Sequence, residues 1–280
     1  MKQGIDVSKW QPKVDWQKVK ADGIDFAIIR IGFCYNNGAL KLDSAFTQHI
    51  KGALAAGLDV GVYLYSYATT VQAARRAAQE VIEAVKPYKL TYPIAFDIEY
   101  ESIYTGGSKQ TNTEICKAFL DEVEQAGYYA MLYCSKDFLD SYLYPAQLTA
   151  YDKWIAQYAG KCTCKHPYGI WQHTGTGRVN GIVGDVDRDI AYKDYPAIIA
   201  KMNHPQAGKN LLYTVQVGAF ASAKSAADLY AKLDDMGYFV FFKNDALAKV
   251  CVGKFATQGE AQKTADDLKK KGFGGFVNTI

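Results

Sequence analysis

The sequence predicts an α/β protein in two parts: a barrel of alternating strands and helices, then a small α+β domain built as βαββαβ. Three observations predict it. Apolar, β-branched runs alternate with helical patterns through the first half of the chain, as strands and crossover helices do in parallel sheets. From Lys153 to Ile190 strand-like runs continue without long helices between them. Beyond residue 210 there is an internal repeat: Val215-Gln-Val-Gly-Ala-Phe220 returns as Val250-Cys-Val-Gly-Lys-Phe255, thirty-five residues later.

In chain order, residues 3–7 alternate and end in Asp6, a first strand. A helix is expected from Val14 to Ala21, stopped at Gly23. Phe26 to Ile31 is a continuous apolar run, fit for a strand buried on both faces. Asp43 or Ser44 caps the next expected helix, which runs through Ala56 and ends at Gly57. Leu58 to Tyr65 is a strand. Residues 70–86 place Val71, Ala74, Ala78, Val81 and Val85 at helical spacing, and Pro87 ends that helix.

Pro93 to Glu99 (Pro-Ile-Ala-Phe-Asp-Ile-Glu) reads as the next strand. Residues two apart in a strand share a face, so Asp97 and Glu99 are expected side by side at its end. Two acids so placed repel each other, which raises the pKa of one, and partial burial adds to that. A carboxylic acid kept protonated beside an ionised neighbour is the equipment for cleaving a glycosidic bond. The competing reading is a strand ending in solvent with two ordinary surface acids.

Thr111 or Asn112 opens another expected helix, with Ile115, Phe119, Leu120 and Val123 on its apolar face and Gly127 at its end. Tyr128–Tyr133, Lys153–Tyr158, Gly169–His173 and Val186–Ile190 are strands. In a β/α barrel the chemistry lies at the C-terminal ends of the strands. Asp6, Tyr65, Asp97, Glu99, Gln157, Gln172 and Asp187 all fall there.

His204-Pro-Gln-Ala-Gly-Lys-Asn210 is a linker by composition. The division expected is 1–202, a linker at 203–210, and a second domain over 211–280. Each copy of the repeat precedes an Ala-rich helix that ends at Gly237 or Gly272. Strand–helix–strand twice over gives a ferredoxin-like sheet with both helices on one face. The other face is a natural binding platform.

Composition narrows the class. The 280 residues are 49% hydrophobic and 22% charged, as in a soluble globular protein. A net charge of +3 suggests no nucleic-acid partner. No apolar run approaches the roughly eighteen residues of a membrane span. The N-terminus enters a strand-like segment at once, so no signal peptide is expected. A substrate outside the cell would then need another delivery route. The six cysteines have no framework spacing, and Cys162 and Cys164 with His166 and His173 fit no common zinc pattern. No metal or cofactor is expected. The 21 tyrosines and four tryptophans suit carbohydrate rings, although they suit any core as well.

Residues 1 to about 195 resemble the catalytic domain of glycoside hydrolase family 25, the lysozymes of Chalaropsis type. The resemblance rests on Gly4-Ile-Asp-Val-Ser8, Asp25-Phe-Ala-Ile-Ile-Arg30, Ala56-Gly-Leu-Asp-Val-Gly-Val-Tyr63 and Ala95-Phe-Asp-Ile-Glu99. Trp154-Ile-Ala-Gln-Tyr158, Trp171-Gln172 and Val186-Asp187 continue it in order. It implies a flattened (β/α)5(β)3 barrel. It also implies cleavage of the β-1,4 bond from N-acetylmuramic acid to N-acetylglucosamine in peptidoglycan, with retention. By resemblance Glu99 is the general acid and then base. Asp97 is a nucleophile or a stabiliser of the substrate's acetamido group. Asp6 and Asp187 match two further groove acids. Tyr63, Tyr65, Gln157 and Trp171 carry over as sugar-binding residues. The family's usual Asn two residues past Val-Asp is Asp189 here.

Residues 211–280 resemble a sporulation-related repeat (SPOR) domain, which implies peptidoglycan binding. Gln216, Phe220 and Tyr238 are candidate contacts. The combined expectation is a phage-type endolysin, made in the cytoplasm of a bacterial host and acting on the wall after release. A bacterial autolysin of the same activity and a non-catalytic wall-binding protein are the alternatives. A family 25 fold that cleaves another glycan, such as chitin, is a further one.

Overall fold

The structure is a computed structural model and describes residues 1–101, 107–202, 212–244, 247–255 and 257–280. The linker expected at 203–210 lies outside the described residues. Among them no helix is long and apolar enough to cross a membrane.

The first domain is a closed barrel. Its strands are β1 (Lys2–Val7), β2 (Phe26–Cys34), β4 (Asp59–Ser66), β5 (Ile94–Asp97), β6 (Ala130–Ser135), β7 (Asp152–Ala156), β8 (Ile170–Gly177) and β9 (Val186–Ala191). They run in the order β1-β9-β8-β7-β6-β5-β4-β2, and β1 pairs with β2 to close the ring. β9 is antiparallel to both neighbours, while the other pairs in the ring are parallel. A short strand β3 (Leu40–Leu42) folds back on the end of β2. Helices α1 (Trp16–Ala21), α2 (Phe46–Ala55), α3 (Val71–Val85), α4 (Lys109–Gln125) and α5 (Lys136–Tyr142) follow β1, β3, β4, β5 and β6; α6 (Tyr195–Lys201) follows β9.

Several expected boundaries shift for local reasons. α1 starts at Trp16 because the Asp15 carboxylate caps it, accepting from Lys18 N; Val14 instead bridges to Ile182. α2 starts at Phe46 with no side-chain cap; the Asp43 carboxylate accepts instead from Ala45 N and from the Arg30 guanidinium. α4 starts two residues early, capped by the Ser108 hydroxyl. β3 and α5 were not expected at all. The strand expected to reach Glu99 ends at Asp97.

Alternation decides what the barrel holds. Phe26, Ile28, Tyr63, Tyr92, Ala95, Met131, Tyr133, Trp154 and Ile170 form one buried cluster inside the ring. The intervening strand residues, such as Ile29, Val62, Phe96 and Leu132, join the helices in a second cluster outside it. Phe26 stacks on Tyr92 with centroids 4.3 Å apart. Its ring lies over Gly4, where a β-carbon would come within 2.1 Å of it. The lower interior is thus filled by aromatic rings. The next inward positions on the strands form the upper floor, where the polar groups stand.

The second domain is β10 (Tyr213–Phe220), α7 (Ala223–Asp235), β11 (Val240–Asn244), β12 (Ala248–Phe255), α8 (Gln258–Lys270) and β13 (Phe276–Thr279). Its antiparallel sheet has the order β11-β12-β10-β13, the βαββαβ arrangement expected. Val215, Val250 and Val252 pack on Ala226, Leu233, Ala261, Ala265 and Leu268 of the helices. Polar contacts join the domains. Arg76 of α3 is only 6% exposed; it pairs with Glu80 at 2.9 Å and with Asp234 at 2.5 Å. Lys254 pairs with Glu83 at 2.7 Å and lies over the rings of Phe239 and Phe241.

Candidate active site

The inward phase of the barrel strands delivers the site. Across β4, β5 and β6, Tyr65, Asp97 and Tyr133 stand at one level. On the far wall Asp6 stands opposite Asp187, and Gln172 opposite Asp189. Asp6, Arg30, Tyr63, Tyr65, Asp97, Glu99, Tyr133, Trp154, Tyr158, Gln172 and Asp187 line one cleft of about 210 Å³ at the C-terminal ends of the parallel strands. A second cleft, about 420 Å³, joins it at Glu99, Tyr133 and Tyr158 and extends over Tyr100, Lys136 and Gln157. Together they make a groove. A larger cavity of about 580 Å³ lies between α3 and the small domain, but it holds none of these acids.

Gln172 is the hub of the floor. Its Nε2 donates to Asp6 Oδ2 at 2.8 Å. Its Oε1 accepts from Tyr133 Oη at 2.9 Å and from Tyr158 Oη at 3.2 Å. Tyr65 Oη donates to Glu101 Oε2 at 3.1 Å.

Four acids line the smaller cleft, and Arg30 is the one cation among its described lining residues; its guanidinium is already paired with Asp43 at 2.6 Å. Burial pushes the Asp97 carboxyl well above the usual range, and the neighbouring Glu99 charge adds to it. Burial also raises Glu99, followed by the charges of Glu101 and Asp187, while the neighbouring Tyr133 and Asp97 pull the other way. Asp6 is raised by burial first, then by Asp187 and Asp189. Asp187, less buried, is raised by the same desolvation. Such a cluster favours the protonated form of its acids.

Six of the eight expected site residues therefore meet: Asp6, Asp97, Glu99, Asp187, Tyr63 and Tyr65. Gln157 lies in the adjoining cleft, its amide bonded to Thr163. Trp171 does not line the groove. It takes the outward phase of β8, one residue before the inward Gln172, and donates to the Gln157 carbonyl at 2.8 Å. Arg30, Tyr133, Trp154 and Tyr158 were not anticipated as lining residues. Tyr158 had one signal, its place directly after Gln157 at a strand end. In the small domain Tyr238 and Phe220 belong to or pack on the core. Gln216 lies on the face away from the helices, yet it is buried.

Residues 5–182 match the family model for glycosyl hydrolases family 25. The chain belongs to that family. Residues 212–279 match the SPOR domain model. The family 25 part is similar to the autolytic lysozyme of Clostridium acetobutylicum, 27% identical over 187 residues, 66% of this chain and 54% of that protein. It is similar in structure to the modular autolysin LytC of Streptococcus pneumoniae, with a TM-score of 0.60 and 30% identity over 68% of this chain and 46% of that one. The catalytic domain of endolysin ply40 from Listeria monocytogenes bacteriophage P40 gives a TM-score of 0.59 and 26% identity, covering 71% of this chain and 97% of that domain. The chain spans about half the length of the first two relatives.

Proposed function

We propose that this family 25 protein hydrolyses peptidoglycan as a retaining N-acetylmuramidase, cutting the β-1,4 bond from N-acetylmuramic acid to N-acetylglucosamine. One observation carries the reading: Asp97 and Glu99 line one cleft with two further acids, Asp6 and Asp187, at the ends of the barrel strands. Glu99 lines both clefts and so borders the open groove. It protonates the departing glycosidic oxygen and then activates water, the acid-then-base sequence of a retaining glycosidase. Asp97 is deeper, 3% exposed, and close enough for the Glu99 charge to raise its carboxyl. That placement favours stabilising the substrate's acetamido group over direct attack on the anomeric carbon. Tyr65 and Tyr158 flank the acids with aromatic faces that suit a sugar ring.

The SPOR domain in this reading holds the enzyme on the wall, which raises the local substrate concentration without new active-site contacts. Reduction and mass spectrometry of digested peptidoglycan test the specificity. New muramic acid reducing ends are expected; new N-acetylglucosamine ends would move the cleaved bond. The role we propose is that of an endolysin reaching the wall after release from the host cytoplasm, supported by the likeness to the phage catalytic domain. Expression in a host should then cause lysis only when the inner membrane is permeabilised. Lysis without permeabilisation would favour an exported autolysin.

A further inference from the structure

The inward phase of β2 and β4 does not stop at the cleft. An extra residue at Ile31 shifts the register of β2, so that Arg30 lies opposite Tyr63 and Phe33 opposite Tyr65. Without that bulge Gly32 would take the inward phase and Phe33 would turn outward, where Ile31 packs now. Tyr35 and Tyr67 follow two residues later, just past the strand ends at Cys34 and Ser66. The four rings touch in single file, edge to face. Tyr65 and Tyr67 have centroids 5.1 Å apart, Tyr67 and Phe33 6.0 Å, and Phe33 and Tyr35 5.3 Å. The file begins in the catalytic cleft at Tyr65. It emerges from it, with Tyr67 40% and Tyr35 48% exposed.

Its far end is held in place. Tyr35 N donates to the Ala39 carbonyl and Gly38 N to the Tyr35 carbonyl, both at 2.9 Å, which closes a tight turn. The turn is pressed against α3: a β-carbon on Gly38 would come within 2.0 Å of the Ala73 carbonyl oxygen. On its other side the Asn37 carbonyl abuts the small domain, 3.5 Å from where a β-carbon on Gly237 would lie. The bridge from Arg76 to Asp234 fixes the small domain three residues before Gly237. The rings thus lead from the cleft to the turn on which the small domain rests.

We propose that Tyr67 and Tyr35 are sugar-stacking residues outside the catalytic cleft, guiding a glycan strand from Tyr65 toward the small domain, so that both domains engage one strand. A ring exposed on its face and polar at its edge suits a pyranose, which is apolar on its faces and polar at its rim. A docking site for a protein would be a broad apolar patch; this one is a single file that opens into the cleft.

The proposal rests on the muramidase reading for the identity of the glycan, so its test has two arms. The first needs no turnover. In the full chain carrying Glu99→Gln, calorimetric titration measures binding of a peptidoglycan tetrasaccharide and of soluble glycan chains of about ten disaccharides. Adding Tyr35→Ala and Tyr67→Ala, with folding checked by circular dichroism, should weaken the long chains about tenfold and leave the tetrasaccharide within about twofold. Tyr35→Phe with Tyr67→Phe keeps the rings and should restore the long-chain affinity. Long chains bound as tightly by the alanine variant would overturn the proposal, since the small domain alone would then hold them. Equal losses on both ligands would overturn it too, placing the effect inside the cleft. The second arm is kinetic, in the chain with Glu99 intact. The alanine variant should raise KM for long chains about tenfold with kcat unchanged, and cleave the tetrasaccharide as the wild type does. A lower kcat on the tetrasaccharide would contradict a role outside the cleft. Wild-type protein that binds the chains and cuts neither would refute the muramidase reading, while the binding arm would still decide the proposal.

Discussion

Asp97 and Glu99 line the same cleft although the strand that leads to them ends at Asp97. Neither is an ordinary acid: burial raises both, and the charge of Glu99 raises Asp97 further. Their protons come off as those of a pair rather than of two independent groups.

The coupling predicts a bell-shaped pH dependence of kcat/KM. In the proposed mechanism a single proton on the pair is the active form, so protonating both or ionising both should remove activity. Both groups are raised, so the alkaline limb should lie above the usual carboxylate range. The Glu101 charge is one cause that raises Glu99, second to burial. Glu101→Gln should therefore move the alkaline limb to lower pH. A limb that stays in place would show that Glu101 does not act on Glu99.

The same burial predicts a cost in stability. A carboxyl raised in the folded state binds more protons there than in the unfolded chain. Its stabilisation is full below the usual carboxylate range and is lost as pH rises through the folded-state value. Asp97→Asn cannot ionise and escapes that loss. It should melt a few degrees above wild type at pH 7, about 2–4 °C for each kcal/mol recovered, and show no gain in acid. Calorimetry at two pH values checks this. A lower melting temperature at pH 7 would mean that Asp97 is stabilising as the anion.

Gln172→Leu should cost activity without unfolding the barrel. It strips the amide donor from Asp6 and the shared acceptor from Tyr133 and Tyr158. Each buried polar group left unpaired costs about 1–3 kcal/mol, so kcat/KM should fall by about tenfold or more. Steady-state kinetics beside a circular dichroism spectrum decide it. Unchanged kinetics would remove Gln172 from the account.

Arg76→Ala should loosen the two domains from each other. Its guanidinium is buried between them and bonds both the Asp234 carboxylate and its backbone carbonyl. Hydrogen bonds to a charged group contribute about 1.5–3 kcal/mol. A single calorimetric transition in the wild type should broaden or split in the variant. Identical thermograms would show that the domains are not coupled through Arg76.

How far the sequence could be read follows from alternation. β2, β4, β5 and β6 are largely apolar on both faces, so their existence was plain and their phase was not. Trp171 and Gln172 illustrate the problem. One of them had to face inward, and only closure of the ring through β1, β2 and β9 decides which. The same ambiguity hid Arg30, Tyr133 and Trp154, which look like strand interior in the sequence and line the cleft in the fold. The acids were legible because a carboxylate at the end of an apolar run has few reasons to be there. β3 has three residues, too few for a period. The start of α5 was readable in principle, since Ser135 caps it by accepting from Phe138 N. The link through Arg76 was not, because a helix surface arginine looks solvated until a partner domain covers it.

The central claim is that Glu99 delivers the proton that breaks the glycosidic bond. Glu99→Gln keeps the shape and the hydrogen-bonding capacity but has no acidic proton to give. Release of reducing ends from purified peptidoglycan should fall by about 10²–10⁴-fold, the contribution of a general acid, while the melting curve stays cooperative. Reducing ends released at the wild-type rate by a folded Glu99→Gln variant would contradict the account and move the acid elsewhere in the groove.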